Sequence, residues 1–313
     1  MAPEIILSEK RIQETRAAGH WPDRLITDHL DEAVAAHPEK PAIIEFKEAT
    51  QETRTISYAE LHAATGRFAL ALAAAGIGAS DVVSFQMPNW WQFSALHFAC
   101  VRIGAVTNPL MPIYRQRELA FMLDVADSKL LVVPDHFRGF DYPEMIAELR
   151  DGLPALEHLF VINGTGPDGF AAYFEDQAWE EESDAGALFA ARRPDPNAPT
   201  ELLYTSGTTG EPKGVIHTHN TLLSIMERHI ELIGLGADDI ILQSAPVAHQ
   251  AGFLHGVLGS VMLGATMVMH DVWDPDRAAE LIETHRATYT MGATPFLADL
   301  ANCQGAENRD LSS

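Results

Sequence analysis

One stretch decides the fold: Leu202-Leu203-Tyr204-Thr205-Ser206-Gly207-Thr208-Thr209-Gly210-Glu211-Pro212-Lys213-Gly214-Val215. An apolar strand, Leu202–Thr205, runs into the small residues Thr205 to Gly210, then Lys213, then a second strand, Val215–His217. Gly207, Gly210 and Gly214 permit positive φ and let the backbone approach a ligand closely. Successive N–H groups in such a loop converge on an anion. The hydroxyls of Thr205, Ser206, Thr208 and Thr209 suit phosphate oxygens or a Mg2+ ion, and Lys213 adds a mobile positive charge. This is not a Walker A loop, which needs Gly, four residues, then Gly-Lys-Ser/Thr entering a helix. Here Pro212 precedes the lysine, Gly214 follows it, and a strand comes next. The plain alternative is a flexible Ser/Thr/Gly linker. Apolar strands on both sides and the embedded Pro-Lys-Gly argue against it.

Outward from this loop, hydrophobic spacing switches between the strand and helix periods. Upstream it predicts strands at Ala42–Phe46, Val82–Met87, Leu130–Val133 and Leu159–Ile162, between helices such as Leu25–His37, Tyr58–Ala75 and Trp90–Ile103. Pro88-Asn89 reads as a turn, and the Pro-rich Arg192–Thr200 as a connector. Downstream it predicts strands at Ile240–Ser244, Thr266–Met269 and Thr288–Thr290, between helices Thr221–Ile233, Ala251–Met262, Pro275–Thr284 and Pro295–Ala301. Such alternation predicts an α/β fold with largely parallel sheets.

Among the 313 residues, 44 are acidic and 21 basic, a formal charge of −23. Non-specific nucleic-acid and anionic-membrane binding need clustered Lys and Arg, so both are excluded as partners. A polyanionic ligand would need a local positive field, which the loop supplies. Asp141 to Glu201 holds much of the negative excess, and Glu180-Glu181-Glu182 reads as a solvated face. Two cysteines, Cys100 and Cys303, make no disulfide framework. Ile240 to His270 lacks Asp, Glu, Lys and Arg, but its histidines and glycines favour a core helix and a core strand over a membrane span. No signal peptide is legible, and a cytoplasmic location is expected. His217 and His219 alternate on a predicted strand and His255 lies further on, without the carboxylate or cysteine pattern of a metal site.

Tyr204 with Thr205–Gly214 resembles the phosphate loop of the adenylate-forming (AMP-binding) superfamily. Other stretches agree in order: Ser57-Tyr58-Ala59-Glu60-Leu61, Gly104-Ala105-Val106 with Pro109 and Pro112, and Pro246-Val247-Ala248-His249-Gln250-Ala251-Gly252, which resembles an acyl-CoA synthetase segment. Arg16–Trp21 and Pro112–Leu119 are similar to cyclohexanecarboxylate–CoA ligase-like and fatty-acid–CoA ligase-like members. The resemblance implies the N-terminal large domain of that fold, incomplete at the C-terminus. It implies subdomains 78–228 and 22–77 with 235–313, and no small C-terminal domain. It implies an ATP-dependent acyl-CoA ligase that forms an acyl-adenylate from a carboxylic acid and then a thioester with CoA. ATP, Mg2+ and CoA are the implied cofactors or substrates. Thr205, Ser206, Gly207, Thr208, Thr209, Gly210 and Lys213 would hold phosphates, with Thr208 facing Mg2+. His249, Phe253, Gly292 and Thr294 would border the acyl site. No complete catalytic set is expected in these residues, so a fragment inactive alone is the expectation. The alternatives are a nucleotide- or acyl-binding module without chemistry, and a phosphate-loop hydrolase.

Overall fold

The structure is a computed structural model and describes residues 7–205 and 212–313. The chain divides into two compact units: Met1–Thr27 with Ala63–Met87 and Ala95–Ser224, and Asp28–His62 with Pro88–Ser94 and Ile225–Ser313.

The first unit is built on a six-stranded sheet, in the order Lys213–Thr218, Pro199–Thr205, Val106–Leu110, Val82–Gln86, Leu130–Pro134, His158–Ile162. All neighbours are parallel except the first pair, which is antiparallel. Val82–Gln86, Val106–Leu110 and Leu130–Pro134 are buried at every position. Parallel strands covered on both faces read as short apolar runs rather than alternations. A core cluster joins Leu110, Leu131 and Val133 to Leu119 and Met122 of helix Gln116–Val125 and to Met145 and Ile146 of helix Tyr142–Leu149. Elsewhere Phe68 meets Phe170 and Phe174 edge-on, at centroid distances of 5.3 and 5.5 Å. Phe174 sits in a π-helical turn, Ala171–Glu175, that sequence periodicity does not reveal.

One sequence expectation changes here. The Pro-rich connector is shorter than expected, because Arg192 closes helix Ala185–Arg192 and Pro199 opens a strand. The acidic run forms the short helix Trp179–Glu182 with all three glutamates exposed, and Glu180 also pairs with Arg67.

Glu201 is register partner to Thr107 and fully buried. Neither of its carboxylate oxygens has a hydrogen-bond partner among the described residues. Burial raises its pKa well above 4.5, because a carboxylate cannot keep its charge in an apolar interior without a partner.

The second unit carries a five-stranded sheet, in the order Tyr289–Thr290, Ile240–Gln243, Thr266–His270, Pro41–Lys47, Glu52–Ser57. Only its last pair is antiparallel. Phe46, Leu242 and Val268 pack against Ala278, Leu281 and Ile282 of helix Pro275–His285. The long uncharged stretch forms helical turns from Gln250 to Leu263, with a π-helical segment at Phe253–Leu258, and then strand Thr266–His270. Among the described residues no helix is long and apolar enough to cross a membrane.

The motif Ser57-x-x-Glu60 is a capping box for helix Tyr58–Ala74. Glu60 N donates to Ser57 Oγ at 3.2 Å, and Ser57 N donates to Glu60 Oε2 at 2.7 Å. That bond from the Ser57 N–H holds the Glu60 carboxyl below its ordinary pKa. Tyr58 between them is fully buried, its hydroxyl 2.6 Å from Ala265 O and 3.0 Å from Ser260 O. The phenol thus pins the helix entry to the turn after Leu263.

Two outcomes follow. Tyr58→Phe removes the one buried phenol proton that reaches Ala265 O and Ser260 O and should lower stability by about 1–3 kcal/mol in urea denaturation. Glu201 binds its proton more tightly folded than unfolded, so its contribution is full below the ordinary glutamate pKa and is lost as pH rises toward the raised value. Glu201→Gln should therefore flatten the decline of melting temperature with rising pH; an unchanged pH slope would contradict this.

Candidate phosphate loop and acyl site

In the first unit, strand Pro199–Thr205 runs parallel to Val106–Leu110 and returns antiparallel as Lys213–Thr218. The register pairs Thr205 with Lys213, Tyr204 with Gly214 and Leu203 with Val215. Lys213 and Gly214, expected in the loop, are therefore strand residues: the ladder continues to the Thr205–Lys213 pair. Gly214 permits that closeness, since a Cβ there would lie 3.0 Å from Leu202 Cδ1. Tyr204 anchors the outgoing strand by donating its hydroxyl to Met122 O at 2.8 Å, and burial pushes its pKa up.

The connection from Thr205 to Lys213 leaves the sheet at the carboxyl end of a parallel strand, where α/β sheets place ligands. Thr205 and Lys213 are both exposed at its mouth. No ion pair to Lys213 forms among the described residues. Ser206, Gly207, Thr208, Thr209 and Gly210, and with them the Mg2+ role of Thr208, lie outside the described residues.

In the second unit, two loops leave the carboxyl ends of neighbouring parallel strands, Ile240–Gln243 and Tyr289–Thr290. Ser244 joins them: its Oγ donates to Met291 O at 3.1 Å and lies 3.2 Å from Thr290 Oγ1. Gly292 sits hard against this bridge, for a Cβ there would lie 2.8 Å from Ser244 Oγ. The other loop is bracketed by Asn89, whose Nδ2 donates to Ala245 O at 3.2 Å and whose Oδ1 accepts from Val247 N at 2.8 Å. Gln243 Nε2 donates to the same Ala245 carbonyl.

The loop ends at His249, which is exposed and caps the next helical turn: its Nδ1 accepts from Ala251 N at 3.2 Å. That bond requires an unprotonated Nδ1, which leaves Nε2 carrying the hydrogen of the neutral ring. The helix reaches this close because a Cβ on Gly252 would lie 2.1 Å from Pro246 O. Phe253, one residue on, is fully buried. Thr294 is exposed and opens helix Thr294–Asn302.

Asn89 and Gln243 were not among the expected site residues. Pro88-Asn89 looks only like a turn, and Gln243 only like a polar end to an apolar strand; their partners are remote in sequence. The alternation expected at His217 and His219 ends early, since the strand stops at Thr218 and His219 begins a helix.

The AMP-binding enzyme family matches residues 30–313. The chain is 31% identical to the medium-chain fatty-acid–CoA ligase of Escherichia coli, over all of this chain and 54% of that protein. It is 34% identical to the salicyl-AMP ligase / salicyl-S-ArCP synthetase of Mycobacterium tuberculosis, over 93% of this chain and 50% of that one. The chain thus spans about half the length of these curated relatives. Among solved structures, apo MbtA from Mycobacterium smegmatis superposes with a TM-score of 0.81 at 31% identity, covering 94% of this chain and 53% of that one. The N-terminal domain of FACL13 from Mycobacterium tuberculosis shares the fold, with a TM-score of 0.79 at 24% identity, over 92% of this chain and 67% of that one. On this evidence the chain belongs to the AMP-binding enzyme family.

Proposed function

We propose that these residues bind ATP and a carboxylic acid for an ATP-dependent acyl-CoA ligase reaction. A carboxylate oxygen attacks the α-phosphorus and pyrophosphate leaves. The CoA thiol then displaces AMP from the acyl-adenylate and forms the thioester. Charge develops on phosphate oxygens in the first step, so preorganised donors supply much of the stabilisation. The N–H groups and hydroxyls of Thr205–Gly210, with Lys213, hold the β- and γ-phosphates. Thr208 would hold Mg2+, which would screen the same charge. His249, Phe253, Gly292 and Thr294 border the acyl group. A cytoplasmic setting belongs to the same proposal.

One observation carries the reading. An exposed lysine and an exposed threonine face each other across the register at the mouth of the Gly- and hydroxyl-rich connection. Calorimetric titration with ATP and MgCl2 tests it. Lys213→Ala should weaken ATP binding about tenfold or more, the size of a lost charge-assisted hydrogen bond. No ATP binding at millimolar concentration would sink the proposal. Acid-dependent pyrophosphate release shows that chemistry accompanies binding, whereas ATP binding without it favours a binding module. Asn89→Ala frees the loop that ends at His249, so it should weaken carboxylate binding several-fold while ATP binding stays unchanged.

A further inference from the structure

His229, His255 and Tyr289 form a cluster that the preceding roles do not use. Tyr289 Oη lies 2.8 Å from His229 Nε2 and 3.2 Å from His255 Nδ1. The two imidazoles meet at a centroid distance of 4.4 Å and an interplanar angle of 73°. Three elements of the second unit bring them together. Helix His219–Ile233 approaches the helical run after His249 at Met226 and Gly259, where a Cβ on the glycine would lie 3.1 Å from Met226 Cε. One turn along the first helix from Met226 is His229; one turn back along the second from Gly259 is His255.

Tyr289 comes from the edge strand. Its register partner is Ile241, so the two side chains share a face, and Gln243 is on that face too. Gln243 lies directly under Gly256, where a Cβ would fall 1.8 Å from its Oε1. Tyr289 therefore faces the helical run that carries His255.

Burial and the neighbouring His229 lower the pKa of His255 to about 4, so its ring is neutral near pH 7. A phenol has one proton, so Tyr289 donates to one imidazole and accepts an N–H from the other. In a neutral imidazole one nitrogen donates and the other accepts. With both rings neutral, whichever way the phenol points, one of the two outer nitrogens, His229 Nδ1 and His255 Nε2, is a donor and the other an acceptor. Neither outer nitrogen has a hydrogen-bond partner among the described residues. All three side chains are half-buried. A paired donor and acceptor match a hydroxyl group, which both donates and accepts.

His255 follows His249 on the same helical run, and Tyr289 leads directly into Met291 and Gly292. We infer that His229, Tyr289 and His255 read a hydroxyl group on the acyl part of the substrate, so that the preferred acid is a hydroxy-substituted carboxylic acid. This rests on the acyl-site role given above to His249 and Gly292. Polar atoms set for a hydroxyl penalise an acid that lacks one, because they are then desolvated without replacement.

The test is calorimetric binding of matched acids to the full chain: hexanoate against 6-hydroxyhexanoate, cyclohexanecarboxylate against its 2-, 3- and 4-hydroxy forms, and benzoate against its three hydroxy isomers. At least one hydroxy acid should bind about tenfold more tightly than its parent. Tyr289→Phe and His255→Leu should each erase that advantage while the parent acid keeps its affinity within about twofold. Retained parent binding also shows that the variants fold. The imidazole NMR signals of His229 and His255 should shift with the hydroxy acid and not with its parent. Equal affinities throughout, or a preference that survives both substitutions, overturns the inference and leaves the acyl site standing. Failure of every acid to bind overturns both.

Discussion

The antiparallel return of Lys213–Thr218 onto Pro199–Thr205 is the constraint on which the proposed phosphate site depends. It places Thr205 and Lys213 opposite each other at the carboxyl end of a parallel strand. Without it, a chain of charge −23 would have no fixed positive group there. The pairing is held from beneath by Tyr204, whose hydroxyl reaches Met122 O, and from the side by Gly214, whose missing Cβ lets Leu202 come close. A side chain at Gly214 would crowd the end of the Leu202 side chain beside the Thr205–Lys213 pair.

The second unit solves a similar problem with a helix. Gly252 and Gly256 let the helical run sit on Pro246 and Gln243. The loop between them is then fixed by Asn89, by Gln243 and by the His249 cap. The same close approach sets His255 opposite Tyr289. One packing choice thus presents an exposed imidazole on the loop and a polar cluster further along the helix.

The strand and helix order was legible because it announces itself locally. Buried parallel strands appear as apolar runs, and strand Pro199–Thr205, which leads into the Gly- and hydroxyl-rich segment, is of that kind. What sequence could not show is what depends on distant partners. Asn89 looks like half of a turn until Ala245 and Val247 are found on its amide. Glu201 looks like any charged strand residue until its burial without a partner among the described residues is seen. His255 stands in the sequence without any metal-site pattern, and its partner Tyr289 lies in the predicted strand Thr288–Thr290, with nothing local to link the two. The π-helical segment Phe253–Leu258 shifts side chains away from the regular helical stripe that periodicity would predict.

The central claim is that the Thr205–Lys213 connection grips a triphosphate. The most direct measurement is 31P NMR of MgATP titrated with the protein. The β and γ resonances should shift and broaden in the wild-type protein, and should return toward their free positions with Lys213→Ala. Resonances unmoved by the wild-type protein, or moved equally by the Lys213→Ala variant, would contradict the account.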